Sequence, residues 1–195
     1  MINYTLYQQQ VSDYLINYTS ESLDQSASDF TDFYINMIQT GTLLLGNTIL
    51  TFNKSSIEDA YKLFFNTQFN SPIDLGLVPY LPLANGFIDF WKSVKFNPVP
   101  PHPPTSSPTV IPPDTDAGVN IKFFGDPISL ANNLYNAYTS GYVEDETQIE
   151  VLVNTVVTNL ITSFTTLHSS ILGIYNGIIT GPPPSSASIP WISVI

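Results

Sequence analysis

"EDETQIEVLVNTVVTNLITSFTTLHSSILGIYNGIIT", residues Glu144 to Thr180, decides the fold class. Ile149, Val153, Val156, Leu160, Phe164, Leu167, Ile171, Ile174 and Ile178 recur at steps of three and four, the spacing of one face of an α-helix. Glu144, Asp145 and Glu146 fall where a helix dipole favours negative charge, and Gly181-Pro182 can stop the chain from continuing. The spacing therefore predicts one long helix ending near Thr180. Thr, Val and Ile are mediocre helix formers, so packing rather than propensity must hold it. Its back carries no charge, and a helix with a broad apolar face and an uncharged opposite face is expected to touch protein on more than one side.

The same periodicity runs through the first half. Leu6, Val11, Leu15 and Tyr18 predict a first helix; Asp29, Phe30, Phe33, Tyr34, Met37, Ile38, Leu44 and Leu45 predict a second, running toward Phe52. "KSSIEDAYKLFFNTQ" predicts a third, with Ser56 as N-cap, Asp59 at the capping-box position and Ile57, Tyr61, Phe64 and Phe65 inward. Leu83 to Phe96 predicts a fourth, with Phe87, Phe90, Trp91 and Val94 on one side. "DPISLANNLYNAYTSG" opens another at Asp126, with Pro127 at the first helical position and Gly141 at the end. The expected fold is mainly α: a helical bundle with extended proline-rich arms in the middle and at the C-terminus.

Those arms divide the chain. Residues 1–96 read as an N-terminal helical region, 97–118 as a proline-rich linker or arm, 119–181 as a C-terminal helical region and 182–195 as a terminal arm. "FYINMIQTG" (Phe33 to Gly41) and "NNLYNAYTSG" (Asn132 to Gly141) share an Asn and a closing Gly. The two halves thus read either as a degenerate duplication or as one domain with shared helix-end chemistry. Proline stiffens a segment and lowers the entropic cost of docking it. Pro98, Pro100, Pro101, His102, Pro103 and Pro104 in the middle, and Pro182, Pro183 and Pro184 near the end, are accordingly candidate partner contacts. So are Ile189, Trp191, Ile192 and Ile195 of the apolar tail, which could add a strand to a neighbour, drop Trp191 into a pocket, or fold back on its own core.

Composition narrows the function. Only 11% of the 195 residues are charged, against 43% apolar, so the surface must be built largely from Asn, Thr, Ser, Gln and Tyr. Such a surface repels other chains weakly, which suits a protein that stays in contact with neighbours. Net charge is −11, the five basic residues are all lysine, and the summed field repels phosphate; direct nucleic-acid binding is not expected. The long uncharged stretches are interrupted by Asn, Gln, Thr, Ser and Gly, so membrane insertion is not expected either. Met1-Ile2-Asn3-Tyr4 holds no basic run before an apolar one, and no secretory signal is predicted. The sequons at Asn3, Asn17 and Asn53 read as by-products of composition.

Chemistry is scarce. The chain has no cysteine, which removes thiol nucleophiles, disulfides and thiolate metal sites. His102 stands among prolines and His168 on the long helix, where it reads as a polar-face residue; neither has metal-ligand neighbours in sequence. "DTDAG" (Asp114 to Gly118) starts like a calcium loop but lacks the rest of the pattern. No nucleophile elbow or phosphate-cradling glycine loop occurs. No cofactor and no enzymatic activity are expected. The reading is a structural protein, a minor component of a large assembly. A virion is the leading candidate, with the chain cementing or adapting capsid or tail subunits through its arms. Its partners would be protein subunits of that assembly, of its own kind or others, and its place the virion or else the cytoplasm. The alternatives are a proline-motif ligand for an SH3- or WW-like partner, which would want a flanking basic residue that is missing here, and a membrane-associated helical protein.

Overall fold

The computed structural model describes residues 2–17, 22–40, 49–71, 75–96, 109–111, 119–141, 148–180 and 185–191. Six helices dominate them: α1 (Tyr4–Ile16), α2 (Leu23–Gln39), α3 (Ser55–Phe69), α4 (Tyr80–Ser93), α5 (Pro127–Thr139) and α6 (Ile149–Ser170). The chain is mainly α, as its periodicities predict. Local chemistry sets several starts. Asn3 Oδ1 accepts from the Leu6 N–H at 3.0 Å and Ser22 Oγ from the Gln25 N–H at 3.1 Å. Asp126 caps α5 by accepting from the N–H groups of Ile128 and Ser129, with Pro127 in the first turn.

Each helix packs on its neighbours in sequence, and α6 closes the ring by packing on α1. The two helical regions on either side of the proline segment thus share one core, through the α4–α5 and α1–α6 contacts. At its centre the even-numbered helices meet. Tyr34 of α2, Phe87 of α4 and Phe164 of α6 touch one another with ring centroids 4.7 to 5.0 Å apart, at tilted and edge-on angles that suit aromatic quadrupoles. Tyr7 of α1 and Tyr61 of α3 lie edge-on against Phe164 and Phe87. Where α4 crosses α3, Gly86 lets the backbones approach: a Cβ there would lie 2.6 Å from the Ser56 carbonyl oxygen and against Ala60 Cβ.

Four expectations need correction. The long helix ends at Ser170, and Ile171–Thr180 is a strand, β5. The Ile-rich run with Gly173 and Gly177 is poor helix material, and spacing alone does not separate a short apolar strand from a helix end. Likewise the second helix does not run to Phe52, nor the fourth to Phe96: α4 stops at Ser93, and Ile49–Thr51 forms β1, paired antiparallel with β2 (Lys95–Phe96). Fourth, α3 begins at Ser55 after Lys54, which makes no side-chain cap; the Asn53 side chain accepts the Ser55 N–H instead, so Ser56 is not the N-cap.

β5 is the centre of a second, antiparallel sheet. β4 (Val119–Phe124) pairs with its first half and β3 (Thr109–Ile111) with its end, while β6 (Ser185–Trp191) pairs along residues 173–179. Because β6 overlaps both other pairings, it must run along the opposite edge of β5 from β3 and β4. Pro190 sits opposite Ile174 on this outer strand, where a missing N–H is tolerated.

Candidate functional site

α6 carries two faces with different chemistry. Its inner face, Val153, Val157, Leu160, Ser163, Phe164, Leu167 and His168, is buried. His168 is 1% exposed, so the expectation of a polar-face histidine is overturned. The signal was present: His168 follows Phe164 by one helical turn and must share its face. The partners that make the position tolerable, Tyr4, Tyr34 and Trp91, come from three other helices and could not be read from spacing.

The hydrogen bonds fix the protons. Trp91 Nε1–H, which can only donate, lies 2.8 Å from the Tyr34 hydroxyl, and that hydroxyl lies 2.8 Å from His168 Nε2. Tyr34 accepts from Trp91, and its own buried proton has a partner only when it is given to Nε2, which makes Nε2 the bare nitrogen. Nδ1 carries the imidazole hydrogen and donates to the Tyr4 hydroxyl at 2.8 Å. Every polar atom of the buried chain Trp91–Tyr34–His168 then has a partner. Burial holds His168 down to about 3 and pushes the Tyr34 hydroxyl well above its ordinary value, against the lowering hydrogen bond from Trp91. A neutral imidazole sealed among aromatic rings is suited to locking α1, α2, α4 and α6 in register.

The outer face is different. Val151, Asn154, Thr155, Thr158, Thr162, Thr165, Thr166 and Ser169 are exposed, and no charge occurs from Val151 to the end of the helix. Thr155, Thr162, Thr165, Thr166 and Ser169 each donate their hydroxyl to the carbonyl four residues back. Five hydroxyl donors of this surface are thereby committed to the helix itself. Val151 is 60% exposed, and Ile149, which the periodicity placed in the core, is 50% exposed. Val151, Asn154, Thr155, Thr158 and Asn159 line a shallow groove of about 380 Å³. The ion pairs of the described residues lie elsewhere: Lys54 with Asp32 and Glu58, Lys62 with Glu58, and Lys92 with Asp89, all on the α2–α3–α4 side.

Of the candidate contacts in the arms, Ile189 and Trp191 fall on β6, opposite Tyr175 and Gly173 of the same chain. Pro98, Pro100, Pro101, His102, Pro103, Pro104, Pro182, Pro183, Pro184, Ile192 and Ile195 lie outside the described residues. Among the described residues no group of three His, Asp or Glu is placed to hold a metal ion, and no helix is long and apolar enough to cross a membrane. No family model, no curated protein and no solved structure matches this chain.

Proposed function

We propose that this chain is a non-enzymatic structural protein, a minor component of a large assembly such as a virus particle, where it joins neighbouring capsid or tail subunits. The outer face of α6 is the observation that carries the reading. A chain of net charge −11 keeps its described ion pairs on the α2–α3–α4 side and leaves one 22-residue helix with a back of threonine, asparagine and valine. A neighbouring subunit can approach that face without stripping water from a charge, the step that makes burial of ionised groups costly. The proline-rich segments and the apolar tail are read as further contacts of the same kind.

Placing two lysines on the face, Thr158→Lys with Thr165→Lys, tests it. Both sites are exposed and lysine is the better helix former, so helical content and melting temperature should stay within a few degrees of the parent. Incorporation into the assembly, followed by co-sedimentation, should fall at least tenfold. Undiminished incorporation of a folded variant would show that this face is not the contact.

A further inference from the structure

The helices run alternately up and down, and the contacts show which termini share an end of the bundle. Tyr4 meets His168 and Tyr7 meets Phe164, so the end of α1 lies beside the start of α6; Asn159 Nδ2 donates to Ser140 Oγ, which brings the end of α5 there too. Tyr80, at the start of α4, touches Tyr138 near the end of α5 and Phe64 near the end of α3, and Tyr14 touches Phe30, which adds the start of α2. The described strands lie toward the other end: β1 leads into α3, β2 follows α4, β4 leads into α5, and β5, with β3 and β6 paired to it, follows α6. Among the described residues, one end is therefore capped by sheet and the other is not.

Apolar exposure follows that division. Of nine large apolar side chains exposed among the described residues, seven stand at the uncapped end, with Leu63 midway along α3 and Ile128 at the sheeted end. Phe69 closes α3, and Leu77, Val78 and Leu81 lie at the entry to α4. Ile16 closes α1, while Ile149 and Val151 open α6. The turn that carries most of them is held in shape. The Val78 N–H donates to the Leu75 carbonyl at 3.2 Å and the Tyr80 N–H to the Leu77 carbonyl at 3.1 Å, with Gly76 at a φ of 57° that suits a residue lacking Cβ. Charge sorts along the same axis. Asp13, Asp24 and Glu150 are exposed at the uncapped end, and the sequence connecting the helices there adds Glu21, Asp74, Glu144, Asp145 and Glu146 but no lysine. Lys54, Lys92, Lys95 and Lys122 belong to the sheeted end, and Lys62, midway along α3, is paired with Glu58.

We propose that the uncapped end of the bundle is a docking surface for a basic amphipathic protein segment of a neighbouring subunit. Its apolar side chains would sit on the turn of Phe69, Leu77 and Val78, and its lysines or arginines would face the surrounding carboxylates. Apolar side chains gathered in one place mark a contact, whereas the same residues spread over the surface would not. A turn already fixed in shape loses little entropy when it docks. The acidic surround selects the partner by sign: a second copy presenting the same end would set carboxylate against carboxylate, and an anionic bilayer would meet the same repulsion. This surface borders the threonine back of α6 at Val151 but does not rest on it.

The purified full chain, titrated without detergent into a labelled synthetic helix with a leucine face flanked by lysines, tests the proposal by fluorescence anisotropy. A peptide with glutamates in place of the lysines is the comparison. The lysine peptide should bind at least tenfold more tightly than the glutamate one, and Phe69→Ser with Val78→Ser should weaken it at least tenfold without changing the chain's charge. Both residues are exposed, so the variant should melt within a few degrees of the parent. Val78→Lys gives a second reading, since it should weaken the lysine peptide and strengthen the glutamate one. Undiminished binding by the folded variants, or equal binding of the two peptides, would overturn the proposal. So would self-association of the parent, or binding to phosphatidylcholine vesicles, that the serine variant abolishes, because the occupant would then be a second copy or lipid. Thr158→Lys with Thr165→Lys should leave peptide binding within about twofold in 0.15 M salt, so the failure of this surface and that of the α6 face are distinguishable.

Discussion

His168 makes the protein acid-sensitive through a single side chain. In the unfolded chain it binds a proton near its ordinary value of 6.5, whereas in the fold burial holds it down to about 3. Its hydrogen-bond partners Tyr4 and Tyr34 are tyrosines with raised values, so they do not titrate in acid, and neither supplies a negative charge to stabilise an imidazolium. Between those two values the unfolded state holds one more proton than the folded one, so stability falls as pH falls. The contribution is complete above about pH 6.5 and is lost at about 1.4 kcal/mol per pH unit on the way to pH 3. Urea denaturation at a series of pH values should show that slope, and His168→Gln should remove the part of it that lies between pH 6.5 and 3. Tyr34 is the partner on which two others depend. Tyr34→Phe keeps the ring contacts but strands Trp91 Nε1–H and His168 Nε2 in a dry core, so it should cost about 2–5 kcal/mol in the same assay at pH 7.

At the scale of elements, the α3–α4 crossing depends on the absence of a side chain. Gly86→Ala would gain helix propensity but drive a methyl group into the Ser56 carbonyl and Ala60, and backbone cannot rotate away as a flexible side chain can. A net loss of about 1–3 kcal/mol by thermal or chemical unfolding is expected. Elements whose signals are local were legible in the sequence. α5 starts where Asp126 and Pro127 place it, because a cap and a proline act within one turn. The inner face of α6 was legible for a similar reason, as Val153, Leu160, Phe164 and Leu167 repeat with the helical period. β5 was not legible, because Ile171, Ile174 and Ile178 fit the helical period while their strand partners lie up to 67 residues earlier, in β3 and β4. The Tyr4–His168 and Tyr34–His168 bonds span 164 and 134 residues, so the network around His168 exists only once the ring of helices has closed.

The whole molecule separates its chemistry by side. The described ion pairs join residues of α2, α3 and α4, the connection between the first two included, whereas α5 and α6 carry no charged side chain after Asp126 except Glu150 among the described residues. Large apolar side chains also reach the surface, with Phe69 77% and Val78 67% exposed beside the α3–α4 turn and Val151 60% exposed on α6. Exposure of this kind is ordinary taken singly, but a whole helix back without charge on so acidic a chain is the feature that a monomer in solution would not need. On the proposed reading, contact with neighbouring subunits gives it a purpose. The most direct test is the sedimentation of the native chain from a gently prepared extract of its source, without detergent, beside the chain bearing Thr158→Lys and Thr165→Lys. The account predicts that the native chain sediments with a large particle and that the doubly substituted chain, still helical, is left near the top of the gradient. A native chain that stays at the size of a single folded copy would contradict it.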